Sequence, residues 1–152
     1  MKILAVDLGR ARTGLAVCDE SELLASPAGV INEHNMERLA QTIAAQAAER
    51  AVGTIVVGLP RNMDGSEGES AQNARAFAEA LRALVNVPVE MRDERGTTIT
   101  AHGYLNDTDT RGKKRKAVVD AVAATIILQD YLDYRRNQRG QKKEEIGNAP
   151  IR

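Results

Sequence analysis

The sequence predicts an α/β domain: a five-stranded mixed sheet, three antiparallel strands followed by two parallel ones, with helices on both faces. Three observations carry this. Short apolar runs alternate with segments of helical period from residue 36 onward. The first three runs follow one another too closely to enclose a helix, so they pair as hairpins. The later runs are each separated by a helix-length segment, the spacing of parallel crossovers.

The elements follow in order. Lys2–Val6 and Thr13–Cys18 are apolar runs around a Gly- and Arg-containing turn. A weaker strand lies at Leu23–Ile31, interrupted by Pro27. Met36, Leu39, Ile43 and Ala47 recur at helical spacing within NMERLAQTIAAQAAERA. Thr54–Gly58 is the next strand. The following helix carries Ala74, Phe77, Ala78, Leu81 and Val85 on one side, and Ser66 stands three residues before Glu69, the spacing of a capping box. Val87–Arg92 is the last strand, and Thr97 or Thr98 can cap a short helix ending near Asn106. A final helix reads from Lys116 to Arg136, with Val118, Val119, Val122, Ile126 and Ile127 as its apolar side. One domain spans 1–136, and 137–152 is expected to be a flexible basic and polar tail.

Composition narrows the function classes. With 152 residues and 43% hydrophobic content, the chain can bury a proper core. The apolar run at Ile3–Val6 is too short for a signal peptide, and no stretch reaches membrane-spanning length. The single cysteine, Cys18, excludes an internal disulfide or a cysteine metal cluster and reads as a small buried thiol. A cytoplasmic setting without membrane partners is expected. Net charge is zero, yet residues 1–94 hold 9 Lys+Arg against 14 Asp+Glu, while 95–152 hold 12 against 7. That asymmetry suits a nucleic-acid-facing side.

In such folds ligands bind beyond the carboxyl ends of the parallel strands. There the sequence places Asp7, the loop LPRNMDGSEGES, and the pair Asp93-Glu94. Asp120 adds an acid among small and apolar neighbours in the final helix, where an unpaired carboxylate is costly to bury. Asp at a helix start, or Asp7 in an ordinary turn, is the plainer reading of each alone. Taken together, the acids form an oxygen-rich site for Mg²⁺ or Mn²⁺, whereas zinc would want His or Cys. Carboxylate sites of this kind hold two ions about 3.5–4 Å apart and hydrolyse phosphodiesters without a protein nucleophile. RGKKRK, Arg111–Lys116, adds five basic residues suited to phosphates, and Arg10 and Arg12 stand in the loop beside Asp7. Aromatic residues are too few for a base-stacking platform. His34 reads as solvated and His102 as at most peripheral.

VDLGRARTGLAV, VVGLPRNMDGSEG, DERGTT and KKRKAVVDAVAATIILQDYL resemble the signature stretches of the YqgF/RuvX family, from residue 2 to about 134. The resemblance implies a ribonuclease-H-like fold and a divalent-metal nuclease. The family is associated with 5′-end maturation of pre-16S ribosomal RNA and, through its likeness to RuvC, with Holliday-junction resolution. It implies Asp7, Glu94 and Asp120 as metal-binding and catalytic, with Asp93 a weaker candidate for the second role. Arg10, Arg12, Arg61, Asn62, Arg95, Thr97, Arg111, Lys113, Lys114, Arg115 and Lys116 are the nucleic-acid-binding candidates. RNA is favoured as substrate over branched or single-stranded DNA, with pre-ribosomal particles as the setting and a monomer or weak homodimer as the assembly. Gly96 stands where the family usually has Leu, and Thr100 where an acid is common. Two other classes compete: an actin-like nucleotide-binding module, since Asp7-x-Gly-x-x-x-x-Gly14 resembles a phosphate loop, and a catalytically silent RNA-binding assembly factor.

Overall fold

The computed structural model describes residues 1–93 and 112–147, with side chains described at 1–93 and 122–140. The strands are β1 (Ile3–Asp7), β2 (Arg12–Cys18), β3 (Ala25–Asn32), β4 (Thr54–Leu59) and β5 (Val89–Asp93). The helices are α1 (Met36–Glu49), α2 (Glu69–Arg82) and α3 (Gly112–Gly147). The sheet order is β3-β2-β1-β4-β5, with β1–β2 and β2–β3 antiparallel and β1–β4 and β4–β5 parallel. The expected mixed sheet is therefore the observed one. β3 is an edge strand, which is why Pro27 is tolerated in it.

Strand alternation divides the core into two. Leu4, Val6, Leu15, Ile55 and Val57 pack with Ile43, Phe77 and Leu81 under α1 and α2. Ile3, Ala5, Ala16 and Val56 point the other way, against Ala124, Ile127, Leu128, Tyr131 and Leu132 of α3. Each strand thus feeds one side chain to each layer in turn, with the period of two that pleating imposes.

Helix ends follow local chemistry. Asn35 caps α1, its side chain accepting from the Arg38 N–H at 3.0 Å. At the other end the Val52 N–H bonds the Ala47 carbonyl and the Ala51 N–H bonds the Ala48 carbonyl, each at 3.1 Å. This is a Schellman turn with Ala51, at φ 55, where glycine usually stands. The capping box expected at Ser66 does not form. Gly68 is the N-cap of α2, without a side-chain cap, and the Ser66 hydroxyl instead donates to Asp64 at 2.6 Å inside the preceding loop.

α3 begins four residues before the expected Lys116 and continues through Gly147, so helical structure extends into the segment expected to be a tail. Residues 137–147 lack an apolar period but are rich in Gln, Lys, Glu and Arg, which propagate a helix well on backbone terms alone. The expected helix at Thr97–Asn106 lies outside the described residues.

α3 is fastened at its lower half. The Ala25 N–H donates to Gln129 at 3.1 Å, and Arg135 reaches Glu22 at 2.7 Å. Ala25 pairs with Cys18, level with the start of β1. Since Ala124 precedes Gln129 along the helix, α3 runs from the carboxyl rim of the sheet down to its base.

A candidate active site at the carboxyl rim

β1, β4 and β5 are mutually parallel, so Asp7, Leu59 and Asp93 end at one rim. Asp7 shares parity with Ile3 and Ala5, and so falls on the α3 side of the sheet, half-buried. Asp120 lies in α3 one turn before Ala124, which packs on that same side. Its side chain is outside the described residues, as are Glu94, Arg95, Gly96, Thr97, Thr100, His102 and Arg111. Lys113, Lys114, Arg115 and Lys116 occupy the first turns of α3, one to two turns before Asp120.

Asp93 belongs to the other side. It shares parity with Val89 and Met91, which pack toward α1 and α2, and its carboxylate meets Arg61 at 3.5 Å. Glu90 and Arg92 face α3: Tyr131 donates to Glu90, and Arg92 bonds Asp130 at 2.9 Å while lying 4.7 Å over the Tyr134 ring. Burial and this hydrogen bond push the Tyr131 phenol up to about 12.

The loop after β4 is a compact bracket. The Asn62 N–H bonds the Ser66 carbonyl at 2.9 Å, and Gly65, at φ 90, closes the turn back to Asn62 at 2.8 Å. The Asn62 side chain donates to the Ser66 hydroxyl, so this binding candidate also braces its own loop. Glu67, not singled out by sequence, is the hub. It takes two bonds from Arg75, at 2.6 and 2.8 Å, and meets Arg61 at 3.4 Å. The Arg75 hydrogen bonds hold the Glu67 carboxyl below the usual carboxylate range. A Glu and an Arg eight residues apart carry no recognisable period, which is why the pair was not legible. Arg61 thereby bridges the β4 loop to the tip of β5.

The β1–β2 turn needs Gly9, because a Cβ there would collide with the Arg12 carbonyl oxygen. Arg10 turns toward α2, 3.9 Å from Glu69 and 88% exposed, while Arg12 starts β2. Next to this turn is a cleft of about 360 Å³ between the β1–β2 loop and the starts of α1 and α2. His34 is among its lining residues, and no motif in the sequence marks the cleft.

An acid at the tip of the central strand, a sheet of this order and a helix covering that acid's side define a ribonuclease-H-like α/β protein. Solved structures of that fold agree. RuvC from T. thermophilus, in complex with a Holliday junction substrate, is 16% identical with a TM-score of 0.55, covering 90% of this chain and 96% of that one. The fowlpox virus Holliday junction resolvase is 15% identical with a TM-score of 0.51, over 88% and 99%. The RuvX family model, described as "Holliday junction resolvase", matches residues 1–134, and the chain belongs to that family. A protein of Anaeromyxobacter sp. named "Putative pre-16S rRNA nuclease" is 48% identical over 135 residues, 89% of this chain and 98% of the relative. One of the same name from Pelotomaculum thermopropionicum is 40% identical over 152 residues, 97% and 94% of the two chains. Membership places the chain among nucleases, hydrolases of phosphodiester bonds. Among the described residues, no helix is long and apolar enough to cross a membrane.

Proposed function

We propose that this protein is a divalent-metal-dependent nuclease acting in 5′-end maturation of pre-16S ribosomal RNA, with Asp7, Glu94 and Asp120 as its metal-holding carboxylates. The observation that carries this is the position of Asp7: at the carboxyl rim, on the side of the sheet that the Asp120 helix covers. Glu94 shares sequence parity with Glu90 and Arg92, which face α3, while Asp93 faces away and is paired with Arg61. That contrast supports Glu94 over Asp93 as the second ligand.

The donor chemistry fits hard cations. Among the described residues, Cys18 is buried at the opposite end of the sheet and His34 lies in the cleft beside α1, leaving carboxylate oxygen as what Asp7's side of the rim offers. When bound, Mg²⁺ or Mn²⁺ would supply an activated water and charge stabilisation at the leaving oxygen. The chain's own contribution is positional. Asp7 is held at a fixed height by pairing on both flanks of β1. The basic first turns of α3, Lys113–Lys116, bring positive charge to the approach of an anionic strand. Arg61, braced by Glu67, keeps the β4 loop docked to the tip of β5.

The test is cleavage of labelled single-stranded RNA carrying a pre-16S 5′ leader, beside a four-way DNA junction, with Mn²⁺, Mg²⁺ or chelator. RNA cutting is expected with either ion, and its loss is expected with chelator and in Asp7→Asn, Glu94→Gln and Asp120→Asn. Cleavage that persists in all three variants overturns the site. The family's description favours a second reading, a junction resolvase. Paired, symmetric cutting of the junction by a dimer, with RNA left intact, would establish that reading instead.

A further inference from the structure

The cleft beside the β1–β2 turn is not explained by metal chemistry. It opens on the α1/α2 side of the rim, opposite the face of Asp7. Its floor is apolar: Leu39 is buried, and Leu8 and Met36 pack on the main core beneath it. Its polar lining is Arg10, Glu33, His34, Glu69, Ser70 and Asn73. At about 360 Å³ it lies near the small end of the roughly 300–1,000 Å³ range of small-molecule sites, room for one nucleotide.

The starts of α1 and α2 both border this cleft, and helix starts by themselves would suit a phosphate. Two carboxylates, Glu33 and Glu69, against the single guanidinium of Arg10 leave the lining net negative, which disfavours a phosphate. Among the described residues, Glu33 already accepts the His34 N–H at 3.1 Å and Glu69 holds only the 3.9 Å pair with Arg10. Each keeps lone pairs for further hydrogen-bond donors, because an ionised carboxylate only accepts. Above an apolar floor, the matching ligand is a flat heterocycle with donors on its edge. Guanine carries two adjacent donors on its pairing edge, the ring N1–H and the exocyclic amine, and a carboxylate can accept both side by side. Adenine and cytosine offer one donor beside an acceptor, and uracil one donor between two acceptors.

We infer that this cleft is a subsite for one unpaired guanine of the substrate strand, read by Glu69 and Glu33 over the Leu8, Met36 and Leu39 floor. The inference rests on the nuclease reading for its biological setting. Its position fits that setting, since Arg10 follows Asp7 by three residues, so their Cα atoms are at most about 10 Å apart. A strand crossing the rim can place a base here within a nucleotide or two of the phosphate at Asp7. Arg10 lines the mouth, and its long 3.9 Å pair with Glu69 leaves it able to swing and stack on the bound base. The scarcity of aromatic residues is then no obstacle, because an aliphatic floor and a guanidinium replace the stacking rings.

The experiment is titration of the full-length protein with 5′-GMP, 5′-AMP and 5′-CMP without divalent ions, followed by calorimetry and backbone amide shifts. GMP is expected to bind at least tenfold more tightly than either competitor, with shifts centred on residues 8–10 and 33–39. Glu69→Gln and Glu33→Gln are each expected to erase that preference, while Asp7→Asn retains it. Glu69 is 76% exposed, so its variant keeps the test valid if Glu33→Gln does not fold. Equal affinity for the three nucleotides, no GMP binding at millimolar concentration, or a preference untouched by Glu69→Gln overturns the inference. No metal and no cleavage enter this assay, so its outcome is independent of whether the carboxylate site cuts RNA.

Discussion

The two faces of the sheet are built differently. Under α1 and α2 the strands present large side chains, Leu4, Leu15 and Ile55 among them, and Phe77, Ile43 and Leu81 of the helices are fully enclosed beside helix alanines. Under α3 the strands present mostly small ones, Ala5, Ala16, Cys18 and Ala25, and the helix answers with Ala124 beside Ile127, Leu128 and Leu132. Small residues let the helix sit close, but they supply less apolar area. Polar ties at the periphery make up the difference: Arg135 to Glu22, Arg92 to Asp130, Tyr131 to Glu90. The first face binds by area, without direction. The second is fixed by directional contacts, and it is the face on which Asp7 emerges. Positioning of a helix, rather than bulk stability, is what the site proposed between β1 and α3 would require.

The contrast can be broken, most severely at the rim. Asp7→Asn is expected to lower RNA cleavage by about 10³-fold or more, the scale of metal-supplied charge stabilisation. Its urea-unfolding midpoint should stay at or above that of the parent, and a large loss of stability would mean Asp7 is structural.

Phe77→Ala should do the reverse. Loss of this enclosed ring is expected to cost about 3–5 kcal/mol in denaturant unfolding, with the cleavage rate per folded molecule unchanged. A cost below about 1 kcal/mol would show that the α1/α2 layer is not the main source of stability.

Glu22 tests the ties of α3. Burial pushes its carboxyl up, but hydrogen bonds from Arg135 and the N-terminal ammonium outweigh this and hold it below the ordinary 4.5. A carboxylate depressed in the folded state stabilises above its unfolded pKa, and that contribution is lost as pH falls through the folded value. Glu22→Gln is therefore expected to cost about 1–3 kcal/mol at neutral pH, and the gap to the parent should narrow below pH 4.5. Unfolding midpoints measured from pH 7 downward check this, and a constant gap would remove Glu22 from the account.

The smallest effect concerns α1 alone. Ala51 holds φ 55 in its Schellman turn, so Ala51→Gly should raise stability by up to about 1 kcal/mol. Thermal melts resolve that size of change, and a decrease would mean the Ala51 methyl packs favourably enough to offset the strain.

Much of the scaffold was legible because its residues report their own burial. The strands Lys2–Val6, Thr13–Cys18, Thr54–Gly58 and Val87–Arg92 match β1, β2, β4 and β5 to within two residues at each end, and the periods of α1 and α2 point to the face that is buried. Asp7 was legible as a strand-tip acid. Less legible were features set by contacts between distant residues. Ser66 has the spacing of a cap, yet its hydroxyl is captured by Asp64. Residue type alone does not separate Asp93 from Glu94, which only the family resemblance ranked, whereas pairing in β5 sends Asp93 toward Arg61. Glu67, with no period or motif, proved to be the brace of the β4 loop.

By itself, then, the sequence determined the order and type of the described elements, the mixed character of the sheet and the carboxylate chemistry expected at its rim. These follow from side-chain period and residue type, which are local properties of the chain. Only the tertiary structure decided which side of the sheet each rim residue occupies, how α3 is tied down, and that a cleft forms beside the β1–β2 turn. Those depend on strand register and helix packing, where a shift of one residue exchanges the two faces without altering the local pattern.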